Sequence, residues 1–251
     1  MEWTTDRSLS LFVGDRVARW SRLFLEFAVS QGIGQAAGML SGLIYVRLMP
    51  IDQYALYAMA LTALAFVGTA SDLGLTGALS YFWRQTVTNE GTIEARIAAV
   101  RRLRSAFLVL ASLLSGALLL KTAAKQDIAA TTVSGCFGLI VATAWAQMHA
   151  SIGIHLLRLR KLQRQSYYCE VAGGITRLLA AVAMIVTGIT TALFGLAGGL
   201  LGAGSILAAL RYVQGKPTSS PQPVRPEMWR DLLAFIMPTG VHRSILFNFK
   251  A

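Results

Sequence analysis

Five stretches of this chain run without a single Asp, Glu, Lys or Arg: residues 27–46, 53–71, 105–120, 128–157 and 178–210. A helix needs about 20 predominantly apolar residues to cross the hydrocarbon core of a bilayer. The last stretch, 178–210, would measure about 50 Å as a single helix, far beyond a core of about 30 Å. It therefore predicts two spans, the first starting near Tyr168, with a turn at Gly188-Ile189-Thr190-Thr191. The second stretch continues past Asp72 to Trp83, and the short third one has Arg104 and Lys121 at its ends, where both can snorkel outward. The pattern predicts six transmembrane helices. No proline occurs between Ile51 and Lys216, so nothing there forces a kink.

Composition narrows the function classes. Of 251 residues, 55% are hydrophobic and only 14% charged, yet 23 basic residues face 12 acidic ones for a net charge of +11. Mean hydropathy is +0.55. An ordinary soluble enzyme is excluded by that apolar content, and a disordered basic tail by the same argument. Nucleic-acid binding, the other reading of a high pI, fails because a soluble binder could not hide so much apolar surface. Cys136 lies inside an apolar run and Cys169 beside a basic loop, and His149, His155 and His242 are scattered. Neither a disulfide framework nor a metal site is expected.

The cations alternate with the predicted spans. The leader carries four, the connection from Arg84 to Arg104 five, the segment from Arg158 to Arg164 four, and the region from Arg211 to Arg230 four. The opposite loops hold three in all: Arg47, Lys121 and Lys125. Seventeen against three is the asymmetry that places the richer side in the cytoplasm. The expected protein is thus a multi-pass protein of the cytoplasmic (inner) membrane with a cytoplasmic N-terminus, in contact with membrane lipids and no nucleic acid.

Its organisation reads as four parts. Residues 1–23 form a cytoplasmic or interfacial amphipathic segment, with Leu9, Phe12, Val13, Val17, Trp20 and Phe24 on one stripe and Arg16, Arg19 and Arg22 off it. Residues 24–212 hold the six spans. Residues 213–230 are a linker with Pro217, Pro221, Pro223 and Pro226. Residues 231–251 resemble the start of a seventh helix, too short to cross the core.

Polar groups inside the spans are the candidate functional residues, since ionisable side chains at membrane depth cost about 2.5–3.5 kcal/mol on insertion scales. Glu26, Gln31 and Gln35 follow one another along the first span, beside a small-residue ladder of Ser30, Gly34, Gly38 and Gly42. Asp72 stands near the inner third of the second, and Arg177 two to three turns into the fifth. The expectation is that Arg177 pairs with Asp72 or Glu26, or faces a water-filled cavity. In that cavity its planar fork of donors could hold a phosphate. Glu26 and Asp72 are candidate ion-coupling groups or members of a buried ion pair. Arg177, Gln31 and Gln35 are candidate substrate contacts.

Residues 32–84 carry a resemblance. Gly38 to Arg47, the sequence Tyr54-Ala55-Leu56-Tyr57-Ala58 after a short turn, Asp72-Leu73-Gly74-Leu75, and Tyr81 to Arg84 resemble the opening of polysaccharide flippases. These are the O-antigen and lipid-linked oligosaccharide flippases of the multidrug/oligosaccharidyl-lipid/polysaccharide exporter superfamily. Ala55-Leu56 stands where that family has a glycine step. Phe235-Ile236-Met237-Pro238 resembles the opening of its seventh helix. The resemblance implies an all-α integral membrane fold with two six-helix lobes around a cavity and alternating access. This chain would supply the N-terminal lobe, and it would need the C-terminal lobe or a second copy. It implies a lipid-linked oligosaccharide substrate, cavity cations that engage its diphosphate (here Arg177), no cofactor and no enzymatic reaction. Two other readings stay open: a cation-coupled multidrug exporter using Glu26 or Asp72, and a non-transporting membrane scaffold or fragment. A lipid-modifying enzyme is disfavoured, because no Gly-x-Ser-x-Gly or His-Glu-x-x-His motif is present.

Overall fold

In the computed structural model, residues 6–85, 90–124 and 129–214 are described. They form seven helices and no strand: α1 Asp6–Leu48, α2 Ile51–Asp72, α3 Leu75–Gln85, α4 Glu90–Ala124, α5 Ala130–Leu159, α6 Gln163–Thr187 and α7 Ala192–Gln214. The linker and the seventh apolar segment expected from sequence, 213–230 and 231–251, lie outside the described residues apart from the first two.

Among the described residues, five spans are long and apolar enough to cross a membrane: Ile51–Tyr81, Glu94–Thr122, Ala130–Leu159, Gln163–Thr187 and Ala192–Gln214. These match the second to sixth predicted spans. The turn predicted at 188–191 is where α6 ends, on Gly188 at φ +67. The first predicted span lies in α1, which is not among the five, because Gln31, Gln35 and four glycines dilute its apolar content. Nor is the leader a separate element. α1 runs unbroken for 43 residues, about 65 Å at 1.5 Å per residue.

α6 packs most extensively on α7 and α1, α7 on α5, and α2 on α4. Small residues make the closest approaches. Gly174 of α6 meets Gly34 and Ala37 of α1, and Gly173 backs onto the Gly202 carbonyl of α7. Of the expected ladder, Gly34 lies against Gly174, while a Cβ added at Gly34, Gly38 or Gly42 would meet no atom within 4 Å. The interior is filled by Tyr45, Val67, Val100, Ile140, Met148, Ile152 and Met184. Large apolar side chains also cover the outside, including Leu110, Leu113, Leu114 and Leu118 of α4 and Leu179, Ile185 and Val186 of α6. An outer wall of this kind suits hydrocarbon rather than water.

The second span is broken although no proline forces it. Leu73 and Gly74 take φ of +37 and +80, ending α2 in a left-handed cap before α3 resumes at Leu75. Glycine adopts that conformation freely, and Asp72 supplies the cap for the new helix. Its Oδ1 accepts from the Thr76 backbone N–H at 3.4 Å and from the Thr76 hydroxyl.

Candidate functional site

The stretch read as a charged connection before the third span is helical from Glu90 onward, and Arg104 does not snorkel out of it. Arg101 and Arg102 are exposed, whereas Arg104 is 4% exposed. It falls in register with Ile97, Val100, Leu108, Ala111 and Ser115, the buried stripe of α4. That stripe was the signal available in the sequence. Its two charged neighbours, Arg101 and Arg102, hid it.

Inside, Arg104 reaches three helices. One terminal nitrogen donates to the Thr76 hydroxyl at 3.1 Å and to Ser151 Oγ of α5 at 3.0 Å. The other lies 3.4 Å from Asp72 Oδ1. Its Nε is buried with no hydrogen-bond partner. One turn further along α3, Ser80 Oγ and His155 Nε2 are 2.8 Å apart. α3 is therefore tied to α4 through Arg104 and to α5 through His155. Arg104 and its partners border a cavity of about 590 Å³ at the helix break, lined by Thr69, Asp72, Gly74, Thr76, Arg104, Gln147 and Ser151. Leu73, half exposed, stands at its edge.

Neither acid expected to neutralise Arg177 does so. Asp72 is held by Arg104, and the Glu26 carboxylate is bound by Arg164 at 2.7 and 3.2 Å. The reason is geometric. α1 and α6 run in the same direction, so Glu26 meets the first turn of α6, while Arg177 lies two-fifths of the way from Thr187 back to Gln163. Its Nε is buried without a hydrogen-bond partner, next to Gly202 and within electrostatic reach of Tyr45 and Tyr57. The Tyr45 hydroxyl is likewise buried and unpartnered. The two glutamines also separate from Arg177. Gln31 Nε2 donates to Glu170 Oε2 at 2.9 Å, and Arg158 binds the other oxygen of that carboxylate. Gln35 is exposed on α1.

Three polar regions result among the described residues: the Asp72–Arg104 cavity, the Arg177–Tyr45 pair of orphaned groups, and the separate Glu26–Arg164 and Gln31–Glu170–Arg158 contacts that join α1, α5 and α6. Only the first combines a buried cation with a cavity. No family model, no curated protein and no solved structure matches this chain.

Proposed function

We propose that this chain is one lobe of a transporter that carries a lipid-linked oligosaccharide across the cytoplasmic membrane. α1 serves as the sixth span, the N-terminus is cytoplasmic, and a second lobe or second copy completes the path. The observation that carries this reading is the buried Arg104 guanidinium in a cavity at a broken helix. Discontinuous spans are where membrane transporters place polar substrate sites, because unpaired backbone is tolerable only beside a cavity. With the cation-rich ends inside the cell, this cavity sits in the inner third of the bilayer. There a phosphate-bearing headgroup made in the cytoplasm would meet it while its lipid tail stays in hydrocarbon.

Mechanistically, Asp72 occupies Arg104 in the empty site and keeps the buried cation compensated. A phosphate offers two oxygens to the same fork of donors and a higher charge, so it can displace the carboxylate. Thr76 and Ser151 hold the guanidinium in position meanwhile. Displacement frees the Asp72 cap on α3, which couples loading to movement of the broken span.

The reading as a cation-coupled exporter would need Asp72 open to a cation. Oδ1 instead accepts from the Thr76 amide, the Thr76 hydroxyl and Arg104, which favours the anion reading. The test is binding of a polyprenyl diphosphate sugar to the detergent-solubilised chain, followed by melting temperature. The diphosphate should raise it for the wild type and not for Arg104→Gln. Equal stabilisation by the phosphate-free polyprenol would count against the proposal.

A further inference from the structure

At the opposite end of the bundle from Arg104, α2 and α4 diverge around a cleft of about 680 Å³. Its walls are apolar, with Met59, Ala63, Phe66, Leu118 and Leu119 prominent. Two hydroxyls that line it are turned to their own helices: Thr62 donates to the Ala58 carbonyl at 2.9 Å and Thr122 to that of Leu118 at 2.7 Å. Lys121 is the one charged residue among the described residues that line the cleft. It is exposed and sits in the last turn of α4, where the span Glu94–Thr122 closes.

Depth and shape say what fits. From Thr122 back to Ser115 is about 10 Å along the helix axis, roughly two-thirds of one leaflet of hydrocarbon. Phe66 and Leu118 project from the rims, 44% and 58% exposed. A partner helix seats best on small residues, whereas bulky exposed rims suit a flexible chain. The cation is informative because this end of the molecule is poor in them: Arg47, Lys121 and Lys125 are the only ones in its loops and helix edges by sequence. A single lysine in the lining of an apolar cleft at the interface matches a molecule with an anionic head and a hydrocarbon tail.

We infer that this cleft holds one acyl chain of an anionic phospholipid, with the lipid phosphate against the Lys121 ammonium. The inference does not rest on the transport reading. It makes the α2–α4 seam a specific lipid site, on the leaflet opposite the Arg104 cavity.

The experiment uses the whole chain in vesicles of equimolar phosphatidylglycerol and phosphatidylcholine, extracted into polymer-bounded discs and progressively delipidated. The retained lipids are then identified by native mass spectrometry. One phosphatidylglycerol should persist per chain, preferred over phosphatidylcholine by about fivefold, the factor that one interfacial Lys contributes. Lys121→Gln should abolish the preference while a lipid is still retained, and Lys121→Arg should keep it. Ala63→Trp should expel either lipid. The site is overturned if wild type shows no headgroup preference, or if Lys121→Gln retains it. Lys121 is exposed, so that variant decides the matter even where Ala63→Trp fails to fold.

Discussion

Arg104 and Asp72 meet at 3.4 Å across the break between α2 and α3, yet their surroundings differ: the arginine side chain is 5% exposed and the aspartate 36%. Removing one partner from a buried pair leaves an uncompensated charge, at about 3–5 kcal/mol, whereas a group that can reach solvent loses far less. Asp72→Asn should therefore cost about 3 kcal/mol and Arg104→Gln about 1 kcal/mol. The double variant should be less destabilised than the sum. Unfolding in mixed detergent–SDS micelles measures all three.

The break itself is testable. A Cβ placed on Gly74 meets no atom within 4 Å, so its φ of +80 is the sole obstacle. Gly74→Ala should cost about 1–2 kcal/mol. Leu73→Gly should stabilise by about 1 kcal/mol, because Leu73 already holds a left-handed φ. Equal effects of alanine at Gly74 and at the open, helical Gly77 would show that the break is not maintained in the membrane.

How much of this was legible in the sequence depends on what each feature needed. Uncharged runs mark the second to sixth spans because hydrocarbon admits little else, and Gly188 marks the α6–α7 turn. Asp72 stood out as a charge at membrane depth. Its partner did not, because Arg104 follows Arg101 and Arg102 and reads as loop until the buried stripe of α4 is counted at helical spacing. The break was missed for a related reason. Proline is the usual cause of a kink, whereas here an Asp cap and one glycine suffice. Pairing with Arg177 was misjudged because charge says nothing about which turns of which helices meet. Gln31 and Gln35, read together, separate because the first faces α6 and the second does not.

Arg177 is a candidate substrate contact that costs stability. A cation at membrane depth with a buried, unpaired Nε is costly. Arg177→Met should raise stability by about 1–2 kcal/mol while reducing transport. Loss of stability would instead assign Arg177 a structural role on Tyr45 and Tyr57. Thermal melting beside a vesicle flipping assay separates the two.

The Glu26–Arg164 contact has exposures of 28% and 64%, so it should contribute little to stability and weaken with salt. Arg164→Glu alone should loosen the adjoining ends of α1 and α6, and adding Glu26→Arg should restore them. Hydrogen exchange over residues 24–34 and 163–172 reports this.

The account rests on spans threading the membrane with their cation-rich ends inside the cell. Cysteines placed at Lys161, in the α5–α6 turn, and at Ile189, in the α6–α7 turn, are both exposed, while the native Cys136 and Cys169 are buried. Labelling of intact cells with a membrane-impermeant maleimide should mark Ile189→Cys and spare Lys161→Cys until the cells are permeabilised. Labelling of the Lys161 position in intact cells, or of both positions alike, would contradict the account.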